Sequence, residues 1–189
     1  MFNCIKRLFS RSAPVILVPS PVQSTPEIIP TPVVVSGVHN ISIVDVKDAT
    51  TTEMLTVGIA SHYLDRILES NEFFRAVMAF KFNQNLVNGL SNKEIYDLYT
   101  KSVVAVKLQF FTGSWRQNHI SKTEGFERDE FGYIKINRYF IQDAVSLVSL
   151  VLHEVGHGLN FTHPNLEQDS VPYGFNYIVE DVAKKLGLK

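Results

Sequence analysis

The segment HEVGHGLNFTH, residues 153 to 163, concentrates three histidines and one glutamate in eleven positions. His153 and His157 are four apart, and at 3.6 residues per helical turn this stacks both imidazoles on one face, where a single zinc ion can bridge them. Glu154 follows the first ligand and lies about 100° round the helix by the same geometry. Its carboxylate then sits beside the metal instead of on it, placed to take a proton from a water that the metal activates. The H-E-x-x-H spacing is thus that of a metal-dependent hydrolase with two helical ligands and an adjacent general base.

A third protein ligand is still needed, and His163 is the candidate. Continued helix would point His163 well away from the other two, so the chain must turn sharply between His157 and His163. Asn160 stands where a residue with positive φ would make that turn, asparagine being the usual substitute for glycine in this conformation. Pro164 directly afterwards marks the helix as ended. A rival third ligand is Glu180 or Asp181, in an N-x-x-x-E-D pattern after Asn176, although Lys184 and Lys185 offer these acids ordinary surface partners. Imidazole donors suit zinc and several other divalent metals.

The elements that must hold this site are strongly apolar. Asp143 caps a run in which Ala144, Val145, Leu147, Val148, Leu150, Val151 and Leu152 cover nearly every face, so the helix that ends in the histidines is buried on most sides. A closing amphipathic helix is predicted from Tyr173 to Leu186, with Ile178, Val182 and Leu186 spaced by four. Upstream, VHNISIVDV from Val38 alternates as a strand. Thr50 to Thr52 are N-cap choices for a helix over roughly 53–69, and Ser91 with Glu94 forms a capping box for a helix running to about Thr100. Val103 to Phe111 and Gly132 to Phe140 read as further strands. The polar stretch Ser114 to Glu130 between them is too long for a hairpin turn and is a candidate rim of the site. Its Trp115 and Arg116 are either substrate contacts or anchors of the loop. His39, His62 and His119 lack metal spacing and read as ordinary histidines.

The chain of 189 residues, 45 % hydrophobic, suffices for one sizeable core. Six of its eight prolines fall between Pro14 and Pro32, and no glycine precedes Gly37. Residues 13–36 therefore read as a stiff extended linker, residues 1–12 as a short amphipathic segment suited to docking a partner or to fraying, and residues 37–189 as the folded domain. With 18 basic and 19 acidic residues there is no global field to favour nucleic acid. The apolar run Val15 to Val18 is too short for a secretory signal core or a membrane span. Cys4 is the only cysteine, so no intramolecular disulfide can form, and a reducing, cytoplasmic compartment is expected.

The full spacing H-E-x-x-H-x-x-N-x-x-H resembles the extended zinc signature of the metzincin metallopeptidases, with Asn160 where that family usually has glycine. The family also carries a methionine turn beneath the metal, whereas no methionine follows Met78 here. Ser170-Val171-Pro172-Tyr173 is similar to that turn in position, with Val171 in place of methionine and Tyr173 where several members place a tyrosine that approaches the metal or the substrate oxyanion. The stretch from Thr123 to Gly187 also resembles small, mostly uncharacterised metallopeptidase-like proteins of bacteriophages. These resemblances imply an α+β zincin domain, a small twisted sheet packed on the active-site helix and a C-terminal helix. They further imply an edge strand at Gly132 to Asn137 along which an extended peptide could pair, and a host-cell or virion-associated location. The expected function is hydrolysis of peptide bonds with one zinc ion on His153, His157 and His163, and with Glu154 and Tyr173 as catalytic groups. Tyr173 as a plain core aromatic, a non-catalytic virion or assembly protein that retains zinc, and hydrolysis of a non-peptide amide such as a cell-wall crosslink are the alternatives.

Overall fold

The computed structural model describes residues 41–114, 125–126, 132–163 and 167–189. The expected amphipathic segment 1–12, the linker 13–36, His39, Trp115, Arg116 and His119 lie outside them. Four strands form one sheet: β1 (Ile41–Lys47), β2 (Val104–Phe111), β3 (Gly125–Phe126) and β4 (Tyr133–Asn137). Their order is β1-β2-β4-β3, with β1/β2 and β2/β4 parallel and β3/β4 antiparallel. The parallel pair β1/β2 requires a long crossover. Three helices supply it: α1 (Thr51–Leu68), α2 (Asn71–Ala79) and α3 (Asn92–Lys101). After β4 come α4 (Ala144–Gly158) and α5 (Val171–Lys185). Among the described residues, this mixture of five helices and a small, mainly parallel sheet is α+β in the general sense. No helix among the described residues is long and apolar enough to cross a membrane.

Local chemistry sets most of the boundaries. The side chains of Thr50, Ser70, Ser91 and Asp143 each accept from the backbone amide three residues on, which satisfies a donor that the first helical turn leaves orphaned. Glu53 and Glu94 return the bond to Thr50 and Ser91, completing two capping boxes. Helix α2 is an element that the sequence analysis passes over, although Ser70 and the buried pair Phe73 and Val77 at i, i+4 signal it. Helix α5 starts two residues before the expected Tyr173, with Pro172 in its first turn, where a missing amide costs nothing.

The expected edge strand needs correcting. β4 is flanked by β2 on one side and β3 on the other, so the edge on that side belongs to Gly125–Phe126, and β1 forms the opposite edge. Four of the five residues of β4 are buried, as befits an inner strand. A two-residue strand within a polar stretch carries no alternation for the sequence to reveal. The strand is also shorter than expected: the chain turns after Asn137, where the Phe140 amide donates to the Asn137 carbonyl at 3.1 Å. Arg138 then ties the end of β4 to its surroundings, donating to Glu53 at 3.0 Å, to Thr112 at 2.9 Å and to the Asp48 carbonyl at 2.7 Å.

Helix α4 is the axis of the core. It packs against α1, α5 and β2, and every residue from Leu147 to Gly156 is buried. Each buried Leu or Val contributes about 1.5–3 kcal/mol relative to exposure, so the helix is fixed along its length. Tyr99 of α3 stacks on Phe175 of α5 with ring centroids 3.7 Å apart, and Phe73 of α2 meets the same ring edge-on. This aromatic group joins three helices beside α4.

Candidate metal centre

The last two turns of α4 present His153 and His157 with ring centroids 5.0 Å apart. The helix then ends through two backbone bonds: the Phe161 amide donates to the Gly156 carbonyl and the Asn160 amide to the His157 carbonyl, each at 3.0 Å. This 6→1 and 5→2 pair is a Schellman termination, which needs a left-handed residue after the cap. Asn160 is that residue, at φ 68°. Phe161 is fully buried and anchors the turn from below, and the Asn88 side chain clamps it from outside by donating to the Asn160 carbonyl at 3.0 Å.

The turn brings His163 back to the helix. Its ring centroid lies 5.3 Å from that of His153 and 4.9 Å from that of His157. One ligand nitrogen from each of the three histidines falls within 4.8 Å of the others, close enough to hold a metal ion, and this is the metal-capable cluster found among the described residues. Glu180 and Asp181 do not join it: Glu180 is exposed, and Asp181 pairs with Lys185 at 2.6 Å. His62 packs beside Tyr63 on α1 instead.

Tautomer and charge suit the donor role. The His157 Nδ1 is 3.0 Å from the Phe161 carbonyl, so Nδ1 carries the proton and Nε2 offers its lone pair. His153 is 7 % exposed. Burial, reinforced by the neighbouring His157 and His163, lowers its pKa from 6.5 to about 3, which keeps the ring neutral. Three converging imidazoles, one buried and two half-buried, form a donor set that fits a divalent transition metal.

Glu154 is buried on α4, one residue from the first histidine. Tyr173, in the first turn of α5, is half-buried, with its ring centroid 4.8 Å from that of His153 and 4.5 Å from that of His163. The structure thus places the tyrosine ring against two of the three histidines. Val171, at the position compared with the methionine turn, is fully buried. The clamp from Asn88 and the carbonyl of Phe161 were not legible in the sequence, because both bonds end on backbone carbonyls, which carry no residue-type signal. Family models, curated proteins and solved structures yield no match to this chain.

Proposed function

We propose that the chain is a zinc-dependent hydrolase of peptide bonds. The observation that carries this is the convergence of His163 on His153 and His157 with Glu154 on the same helix. His153, His157 and His163 would hold the ion, and three protein ligands are the number that leaves a position open for chemistry. Bound zinc supplies a Lewis acid that acidifies water and polarises a carbonyl oxygen. Glu154 is the general base: it accepts a proton from the attacking water and returns it to the leaving amine. The Tyr173 hydroxyl, carried on a ring that touches two of the histidines, is suited to donate to the oxyanion as it forms. An extended peptide adding to the sheet on the β4 side would meet β3, the edge strand there, and not β4.

The test uses the full chain. Zinc per chain is measured for the wild type, His163→Ala and Glu154→Ala, with turnover on a casein-like protein and on peptidoglycan. Loss of zinc in His163→Ala, together with retained zinc and lost proteolysis in Glu154→Ala, is the expected outcome. Turnover of peptidoglycan alone would move the substrate to a cell-wall amide. Stoichiometric zinc without turnover on either would make the ion structural, and a wild type that binds no metal would sink the proposal.

A further inference from the structure

Two buried polar atoms on opposite helices are left over from this account. Neither Nδ1 of His153, on α4, nor Oδ1 of Asn176, on α5, makes a hydrogen bond of ordinary distance and angle. The Asn176 side chain and the Pro172 backbone lie within reach of the His153 ring from α5, beside the rings of Tyr173, His157 and His163. The orphaned Asn176 atom is Oδ1, which can only accept, and a proline backbone likewise offers only its carbonyl. Pro172 and Asn176 are four apart and share one face of α5.

We propose that Asn176 is a positioning residue of the metal centre, accepting the Nδ1 proton of His153 and thereby turning Nε2 of that ring towards the ion. The inference rests on the metal-site reading above. The two helices are close enough at this point for the contact: a β-carbon on Gly156 would lie 3.3 Å from Pro172 Cγ, and the Tyr173 ring sits 4.8 Å from the His153 ring. His157 is already oriented in the same way, its Nδ1 held by the Phe161 carbonyl. With Asn176 on the other ring, both helical ligands have Nδ1 tied to an oxygen and Nε2 free. Histidine ligands ordinarily need such an acceptor to fix tautomer and orientation. A buried amide oxygen also needs a donor, and the Nδ1 proton of His153 supplies it. Helix α5 would thus act as an outer shell of the site, with Asn176 set one turn beyond Pro172.

The experiment has one readout that needs no metal and one that does. Long-range proton–nitrogen spectra of chelator-treated full-length protein report the tautomer of His153, and chelator competition reports zinc affinity. The wild type is expected to show His153 protonated at Nδ1. Asn176→Ala is expected to mix the tautomers and to weaken zinc binding roughly 10- to 100-fold, while Asn176→Asp, which keeps an acceptor, retains both properties. A folded Asn176→Ala with wild-type affinity and an unchanged tautomer would overturn the proposal, since the Pro172 carbonyl would then suffice alone. Should Asn176→Ala fail to fold, the other two proteins decide: protonation at Nε2 in the wild type or in Asn176→Asp overturns it, and protonation at Nδ1 in both supports it. A wild type that binds no zinc but shows the Nδ1 tautomer would defeat the metal reading and leave the Asn176 contact standing.

Discussion

The hydroxyl of Tyr99 lies against the Cα of Gly156, in the space that a β-carbon would fill. Gly156 sits between the two helical histidines, so the packing of α3 on α4 reaches directly into the candidate metal centre. The Tyr99 hydroxyl is itself buried with no hydrogen-bond partner.

Gly156→Ala should therefore destabilise the protein by about 1–3 kcal/mol through overpacking, despite alanine's better helix propensity. Tyr99→Phe removes both the clash and an unpaired buried hydroxyl, and should be neutral or stabilising by about 1 kcal/mol. Urea denaturation of the two single variants and the double variant checks this. The double variant should recover most of the loss, and strict additivity would count against the contact.

Asn160 occupies the left-handed region at φ 68°. Asn160→Gly should be tolerated. Asn160→Val should cost about 1–2 kcal/mol and displace His163, lowering zinc affinity more than stability alone would explain. Asn88→Ala removes the bond to the Asn160 carbonyl and should cost about 1 kcal/mol. Parallel measurements of zinc affinity and melting temperature separate these effects.

The pH response of chelator-treated protein follows from His153. Its pKa is about 3 in the folded protein against 6.5 as the ordinary value, so between those limits the unfolded chain binds the extra proton. Stability is full above about pH 6.5 and falls as pH drops towards about 3, with a slope of up to about 1.4 kcal/mol per pH unit. Denaturation midpoints at about pH 7.5 and about pH 5 in wild type and His153→Gln measure this; equal shifts in both proteins would assign the slope to other groups.

Glu180→Ala and Asp181→Ala should leave zinc stoichiometry unchanged, because the first side chain is exposed and the second is paired with Lys185 on the helix surface. Loss of metal in either variant would reinstate the rival ligand set.

Much of the candidate site was legible in the sequence because its signals are local. The i, i+4 histidines, the adjacent glutamate and the caps at Thr50, Ser91 and Asp143 each depend on helical geometry over a few residues. The positive φ at Asn160 was legible for the same reason: a chain leaving a helix for a third ligand needs a left-handed residue there. Helix α2 also had local signals, a Ser70 cap and the Phe73 and Val77 pair, but the helix expected over 53–69 stops just short of them.

What the sequence by itself determined is therefore the chemistry of the segment from His153 to His163: which donors, in which order, on a helix too apolar to lie anywhere but the core. Only the tertiary structure decided where that segment's neighbours fall. Asn88 reaches Asn160 across 72 positions of chain, α5 brings Tyr173 and Asn176 to the His153 ring, and Gly125–Phe126 takes the sheet edge from β4. Such contacts depend on how whole helices and strands pack, and helical spacing and strand alternation describe only one element at a time.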